Sequence, residues 1–294
     1  MKYVITGSLG HISKPLSQKL ISAGHTVTVI SSSDAKKAEI EALGAKAAIG
    51  SIEDVSFLTQ TFSGADAVYT MVPPSYSAPD VKAHIALIGK NYVEAIRKSG
   101  VKYVVNLSSI GAHMPEGCGP VSGLYSVEKS FEMLNDVNVL HLRPASFYYN
   151  FLTLAGMVKH AGIIGNNYGG KLVLVDPNDI ADVAADALLK RSFTGKSHLY
   201  IVSDVRPVEE VASILGSSIG KKDLNWVVFT DEQSLSGLKQ AGVPQNLAEN
   251  LTEMGSALRS GEMTADYFKS KNVAHGKRKL EGYAPVFAEA YKNA

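Results

Sequence analysis

A single cysteine, Cys118, stands among 294 residues. One thiol cannot close an intramolecular disulfide, and such usage fits a reducing compartment such as the cytosol. Charge of one sign is also missing, with 29 basic side chains against 28 acidic ones. A balance so close to zero supplies no global field to draw nucleic acid or an anionic membrane surface. No apolar run approaches the ~20 residues of a membrane-spanning helix. The histidines His113, His141, His160 and His198 fall singly, without ligand spacing, so no metal is expected and each reads as a local hydrogen-bonding residue. The chain opens directly in a strand-like run with no signal-peptide pattern. No internal repeat or low-complexity tract breaks it. The expectation is a cytoplasmic globular protein acting on a small molecule, with neither nucleic acid nor membrane as partner.

What is present is organised around the first fourteen residues. Tyr3, Val4, Ile5 and Thr6 form a β-branched and aromatic run that predicts a buried strand. Gly7, Ser8, Leu9 and Gly10 follow as a turn. From Ile12 the apolar positions Leu16, Leu20 and Ile21 recur at helical spacing. Strand, glycine turn and helix N-terminus together make a place for a pyrophosphate, because bare backbone lets the phosphates approach and first-turn N–H groups point at them. The spacing is Gly7-x-x-Gly10-x-x-Ser13, with serine where a third glycine usually allows close helix–strand packing. Gly7, Leu9, Gly10, His11 and Ile12 are therefore cofactor-binding candidates.

A second strand over 26–30 ends in Ser31, Ser32 and Ser33, where a dinucleotide-binding unit meets the adenosine ribose. An acidic residue there selects NAD. Its absence, with Lys36 and Lys37 close by, favours the 2′-phosphate of NADP while leaving NAD allowed. Those lysines also suit a solvent-facing helix over 35–43, which Asp34 would cap. A strand over 45–49 leads to Ser51 and Ile52 beside the adenine, with Ser51 also a candidate helix cap. A helix over 55–62 and a strand over 67–72 follow. Met71, Val72 and Pro73 sit where strand ends face the ligand crevice.

A helix over 81–99, a strand over 103–107, a helix from about 124 and a strand over 137–142 complete six strands alternating with helices. That alternation predicts an α/β fold, a doubly wound parallel Rossmann sheet. The domain is expected over 1–150, joined by about 172–204. Residues 151–171 and 205–294 read as a smaller, mostly helical substrate domain with one further strand over 226–229.

Tyr125 and Lys129 form Y-x-x-x-K, one helical turn apart on one face. The lysine would lower the tyrosine pKa and reach the nicotinamide ribose, and the phenol would exchange a proton during hydride transfer. Ser108 or Ser109, after the fifth strand, would orient the substrate; Tyr125, Lys129 and Ser109 are the catalytic candidates. Ser108, Lys129, Pro144 and Ser146 join the cofactor set. Tyr148, Tyr149 and Phe151 could wall an aromatic pocket or simply start an apolar helix. Arg143 would pair with a core carboxylate or reach a phosphate. Cys118 reads as a small residue in a loop.

These residues have a family. Thr6, Gly7, Gly10, His11 and Ile12, then Leu107, Ser108, Ser109, Ile110 and Gly111, then Leu142, Arg143 and Pro144, and Asp179, Ile180 and Ala181 resemble an atypical short-chain dehydrogenase of the NmrA-like group. Ala241, Gly242, Val243 and Pro244, with Gly261 and Glu262 beyond, look like the substrate domain of the triphenylmethane reductase and quinone oxidoreductase branch. The resemblance runs through nearly the whole chain. It implies NAD(P), often NADPH, over the strand ends, with Gly7, Gly10 and Ile12 in the phosphate loop and Lys129 on the nicotinamide side. The loop between Ser109 and Tyr125 is longer than in active short-chain dehydrogenases, and many members of the group lack the tyrosine. Two functions are thus carried forward. One is an NAD(P)H-dependent reductase of a quinone or dye. The other is a catalytically silent redox sensor acting through a protein partner, and in either case a homodimer is allowed.

Overall fold

A computed structural model describes residues 1–75 and 77–294. In chain order β1 (Lys2–Ile5), α1 (Ser13–Ser22), β2 (Thr26–Ser31), α2 (Lys37–Ala42), β3 (Lys46–Ile49), α3 (Val55–Phe62), β4 (Ala67–Thr70), α4 (Val81–Ser99), β5 (Tyr103–Leu107), α5 (Pro120–Phe131) and β6 (Asn138–Pro144) alternate strictly. After them come β7 (Ser146–Phe147), a 3-10 segment over Tyr148–Leu154, α6 (Ala155–Ala161), β8 (Ile164–Asn166), β9 (Lys171–Val175), α7 (Pro177–Lys190) and β10 (Lys196–Val202). The chain ends through β11 (Asp204–Pro207), α8 (Val208–Ser218), β12 (Trp226–Val228), α9 (Asp231–Gln240), α10 (Gln245–Ser260), α11 (Glu262–Lys269), β13 (Val273–His275) and α12 (Leu280–Asn293).

Eight strands make the central sheet, in the order β13-β10-β6-β5-β4-β1-β2-β3. Every pairing in it is parallel. The inner strands β1, β4, β5 and β6 are buried on both faces, which explains their nearly continuous apolar runs. Alternate residues go to opposite layers. Tyr3, Ile5, Val29 and Tyr69 pack with Leu16 and Leu20 of α1 and with Ile180 and Leu188 of α7. Val4, Ile30, Val68 and Val104 pack with Leu58 of α3, Ile88 and Tyr92 of α4, and Phe131 of α5. A third core gathers Tyr148, Phe151, Leu172, Leu174, Leu215 and Phe287 in the C-terminal half.

Two details depart from the sequence expectations. Within 172–204, β10 joins the central sheet beside β6, whereas β9 lies in a separate three-stranded sheet between β11 and β7. The unanticipated β13 returns from the C-terminal segment to the sheet edge, where Tyr200 N–H donates to the Asn272 carbonyl at 3.1 Å. Three residues are too short for any periodicity to announce. The segment is held from beyond the strand: Arg278 N–H donates to Asp179 Oδ2 at 3.1 Å and its guanidinium to Asp179 Oδ1 at 2.5 Å. A Cβ at Gly276 would lie 2.2 Å from Asp179 Oδ2, so only glycine lets the backbone pass.

Candidate active site

The strand order reverses between β1 and β4, so their C-terminal ends open the crevice of a doubly wound sheet. The turn leaving β1 fills that place. Gly7 takes φ +90° and Ser8 φ +53°. Ser8 N–H donates to the Ile30 carbonyl at 3.0 Å, and Gly10 N–H to the Gly7 carbonyl at 3.2 Å. Buried Ser13, at the third-glycine position, does more than fit: its Oγ donates to the Thr6 carbonyl at 2.9 Å and ties α1 to β1. A Cβ on Gly7 would lie 2.7 Å from that Oγ and 2.9 Å from Met71 Cγ and Sδ. Asp54, Asp80 and Asp176 cap α3, α4 and α7, yet no side chain caps α1. In that first turn Lys14 N–H donates to the Gly10 carbonyl at 3.0 Å and Pro15 carries no N–H, so an anion such as a pyrophosphate would be met by Ser13 N–H together with the backbone of the glycine turn.

At the adenosine end Ser31 is buried, accepting from Ser8 Oγ at 3.0 Å and from Ser33 N–H at 3.2 Å. Ser32 and Ser33 are exposed beside it. Lys36 Nζ donates to Glu39 Oε2 at 3.0 Å, and Lys14 Nζ to Glu39 Oε1 at 3.1 Å. Lys14 thus joins α1 to the Glu39 carboxylate of α2 through a partly exposed ion pair. Two expected caps are corrected. A 3-10 turn, Asp34–Lys36, precedes α2, and Asp34 caps neither. Asp54 caps α3, while Ser51 Oγ instead accepts Glu53 N–H at 3.1 Å. Ile52 packs against the α3–α4 layer.

At the other end, Met71 N–H donates to Thr6 Oγ1 at 2.9 Å and its carbonyl accepts Tyr92 OH at 2.7 Å. Val72 packs against the α4 layer, and Pro73 is half-buried. The chain after β5 runs on beside β6, through Ser108 N–H to Leu142 O at 2.7 Å and Ile110 N–H to Pro144 O at 2.8 Å. Ser146, in β7, is half-buried beyond them.

The structure brings Tyr125 and Lys129 together, with Lys129 Nζ 5.7 Å from the Tyr125 ring centroid. Lys129 is nevertheless exposed, and its ammonium donates to both Glu132 oxygens, at 3.0 and 3.3 Å. Ser109 Oγ donates to the Ile110 carbonyl at 2.9 Å. Ser108 Oγ donates to Glu128 Oε1 at 2.5 Å. Glu128, absent from the sequence candidates, centres a buried network. Arg143 Nε donates to its Oε1 at 3.0 Å and Nη2 to its Oε2 at 2.7 Å, while Arg143 Nη1 reaches Tyr200 OH at 3.1 Å and Asp266 Oδ2 at 3.2 Å. Arg143 thus pairs with a core carboxylate. Burial pushes the Glu128 carboxyl up, but Arg143 and Ser108 outweigh it and leave the pKa below its usual value. The signal was available: Leu124, Glu128 and Phe131 share one helical stripe, and a carboxylate on a stripe facing the core needs a buried partner.

Under α5, Thr70 Oγ1 donates to Asn106 Oδ1 at 2.9 Å and Asn106 Nδ2 lies 3.1 Å from His141 Nδ1. Burial lowers the His141 pKa to about 4. The unfolded value is about 6.5, so below that pH the unfolded chain takes up the proton first. Stability is full above pH ~6.5 and falls as pH drops toward about 4, by up to about 3 kcal/mol from this residue. Denaturant titrations at pH 7 and 5 should show the decline, and His141→Gln should flatten it by about one proton; an unchanged slope would contradict the assignment.

The aromatic wall differs from expectation. Tyr149 stacks on His11, centroids 4.7 Å apart at 24°, and on Phe147 at 4.9 Å and 29°. Tyr148 and Phe151 instead enter the third core. The cause is the 3-10 segment Tyr148–Leu154: at three residues per turn, 148 and 151 share its buried side and 149 does not. Over the strand ends, α10 meets α4 through Lys82 Nζ–Glu253 Oε2 at 2.7 Å. The loop before α5 lies beneath α10 and α11, so close that a Cβ on Gly119 would fall 2.1 Å from the Asn250 carbonyl. Cys118 in that loop is buried, and burial pushes its thiol up to about 12.

A model of the NmrA-like family matches residues 2–286. The chain belongs to the NmrA-like family. Among curated relatives of this NmrA-like chain, the NAD(P)H azoreductase of Xenophilus azovorans is 25% identical over 253 residues, 85% of each chain. Citrobacter sp. triphenylmethane reductase superposes with a TM-score of 0.79 at 22% identity, covering 99% of this chain and 100% of the other. The NADPH complex of Escherichia coli quinone oxidoreductase QOR2 superposes with a TM-score of 0.80 at 21% identity, covering 96% and 98%. These two likenesses establish the shared fold. Among the described residues of this NmrA-like protein, no group of three or more His, Cys, Asp or Glu could hold a metal ion, and no helix is long and apolar enough to cross a membrane.

Proposed function

We propose that this NmrA-like protein is an NAD(P)H-dependent reductase of small, flat electrophiles such as quinones or azo and triarylmethane dyes. The observation that carries the reading is the glycine turn at the sheet's reversal point, with Gly7 at positive φ and α1 left without a side-chain cap. The azoreductase relative, spanning most of both chains, supports the chemistry. Gly7, Leu9, Gly10 and Ile12 take the pyrophosphate on backbone. Ser31, Ser32, Ser33 and Lys36 face the adenosine ribose, Ser51 and Ile52 the adenine. Met71, Val72, Pro73, Ser108, Pro144 and Ser146 pack the nicotinamide end, and His11 with Tyr149 and Phe147 forms a flat wall for substrate. When bound, the cofactor supplies the hydride; a quinone so reduced takes one proton from water.

Tyr125 is not required as the acid in this reading. Ser109 and Ser108 already spend their hydroxyl protons on the Ile110 carbonyl and on Glu128, and Lys129 is engaged by Glu132. NADPH oxidation should rise with a panel of quinones and azo dyes, and Tyr125→Phe should keep turnover within about tenfold. A loss of 100-fold or more, the usual worth of a general acid, would assign Tyr125 that role. Cofactor binding with no stimulation by any acceptor would favour the silent sensor instead.

A further inference from the structure

Resting on the reductase reading above, we infer that His11 is a positioning residue for the electrophilic substrate: its ring fixes Tyr149, and through Tyr149 the aromatic wall of the crevice. His11 stands in the glycine turn after β1, and Tyr149 in the 3-10 segment that follows β6 and β7. In the sheet β6 lies three places from β1, about 14 Å at the ordinary strand spacing. Side chains bridge that gap. His11 stacks on Tyr149 with centroids 4.7 Å apart at 24°, and Tyr149 on Phe147 at 4.9 Å and 29°. Centroids this close leave no room for a guest between the rings, so a flat substrate packs against the column and not within it.

Both ends of the bridge are pinned by buried neighbours. Ile12, next to His11, packs in the core shared by α1 and α7. The turn that carries His11 is closed by Gly10 N–H on the Gly7 carbonyl and Lys14 N–H on the Gly10 carbonyl. Tyr148 and Phe151, on either side of Tyr149, are buried in the third core, and Phe147 rests against the α1–α7 core. The column therefore lies on the α1–α7 side of the strand ends. On the other side stands α4, of the opposite layer, joined to α10 by Lys82 and Glu253. A flat electrophile that enters between these walls meets the rings on one face, and the plane of the middle ring is set by His11. One backbone turn thus supports both the cofactor and the wall for the substrate, which keeps the two in register. A stack of this kind serves ground state and transition state alike, so its loss enters KM and leaves kcat. His11 is exposed, so its replacement leaves the core intact.

The test is steady-state kinetics of the whole protein with saturating NADPH and a naphthoquinone acceptor, beside calorimetric titration with NADPH. His11→Ala should raise the quinone KM about three- to tenfold, the worth of one aromatic pair, with kcat and the NADPH Kd within about twofold of wild type. His11→Phe keeps a ring to stack and should restore KM to within about twofold. Tyr149→Ala should raise KM at least as much as His11→Ala, and adding His11→Ala to it should change nothing further, because His11 acts through Tyr149. An unchanged KM in His11→Ala, a His11→Phe no better than alanine, or effects that add in the double variant would overturn the positioning role while the reductase reading stands. A matching loss of NADPH affinity would overturn it too, by assigning His11 to the cofactor. Wild-type protein whose NADPH oxidation no quinone or dye stimulates would remove the reductase reading itself, and the positioning role with it.

Discussion

Gly7→Ala should abolish useful cofactor binding, weakening NADPH by at least about 100-fold in a calorimetric titration. Gly7 holds φ +90°, where an L-residue is strained by roughly 1–2 kcal/mol. The added Cβ would also press within 2.7 Å of Ser13 Oγ, which cannot step aside without leaving the Thr6 carbonyl. Met71 is flexible and can yield; Ser13 is pinned. The cheaper escape is for the turn to flip to negative φ, which turns the N–H groups that follow away from the pyrophosphate. A hydrogen bond to a charged group is worth about 1.5–3 kcal/mol, so the removal of two accounts for the expected change. Gly24→Ala is the control: φ is +81°, no atom lies within 4 Å of the added Cβ, and the position follows the C-terminus of α1. It should cost comparable backbone strain and leave NADPH binding intact. Equal NADPH affinity in Gly7→Ala and wild type would remove the turn from the cofactor site.

The second large effect concerns stability. Arg143→Ala should destabilise the protein by roughly 3–5 kcal/mol, because it leaves the buried Glu128 carboxylate without its cation. Arg143 is only 7% exposed and Glu128 9%, so water cannot take the guanidinium's place. Removing both charges with apolar residues of similar length, Glu128→Met with Arg143→Met, should cost far less than the single change, since no orphan charge remains. Costs that simply add, measured by denaturant titration, would show that the pair is not coupled.

The pH dependence follows with a definite sign. In the wild type the Glu128 pKa is lowered on folding, so its contribution is present above the unfolded value and disappears as pH falls through the folded one. In Arg143→Ala burial, the largest influence on Glu128, loses its main opponent and raises the folded pKa against Ser108 and His141 alone, so the penalty is largest when the unfolded carboxylate is ionised. The deficit of the variant should therefore be greater at pH 7 than near pH 5. A deficit that grows on acidification would contradict this account.

Much of the Rossmann half was legible because local and global preferences agree there. The helices over 55–62 and 81–99 and the strand over 103–107 stand where periodicity and composition place them. The turn at Gly7 and Gly10 was legible for the same reason: strand, turn and helix are contiguous, and the geometry of such a turn is local. Glu128 was missed although its place on the apolar stripe was readable, because Tyr125 and Lys129 on the neighbouring face make the more conspicuous pattern. The aromatic cluster divides between the two readings the sequence left open, Tyr148 and Phe151 entering the core and Tyr149 stacking on His11, because nothing in these residues announces a turn of three residues instead of 3.6.

By itself, then, the sequence determined the parallel sheet, its two-sided core, the position of the glycine turn between β1 and α1, and the family, whose signals lie in residues near one another in the chain. The tertiary structure decided which side chains meet across the crevice. It set Ser108 on Glu128, His11 against Tyr149, Lys14 on Glu39, and β13 at the sheet edge. These contacts join residues from 20 to more than 100 positions apart, and neighbouring sequence cannot encode a distance that only the closed chain defines.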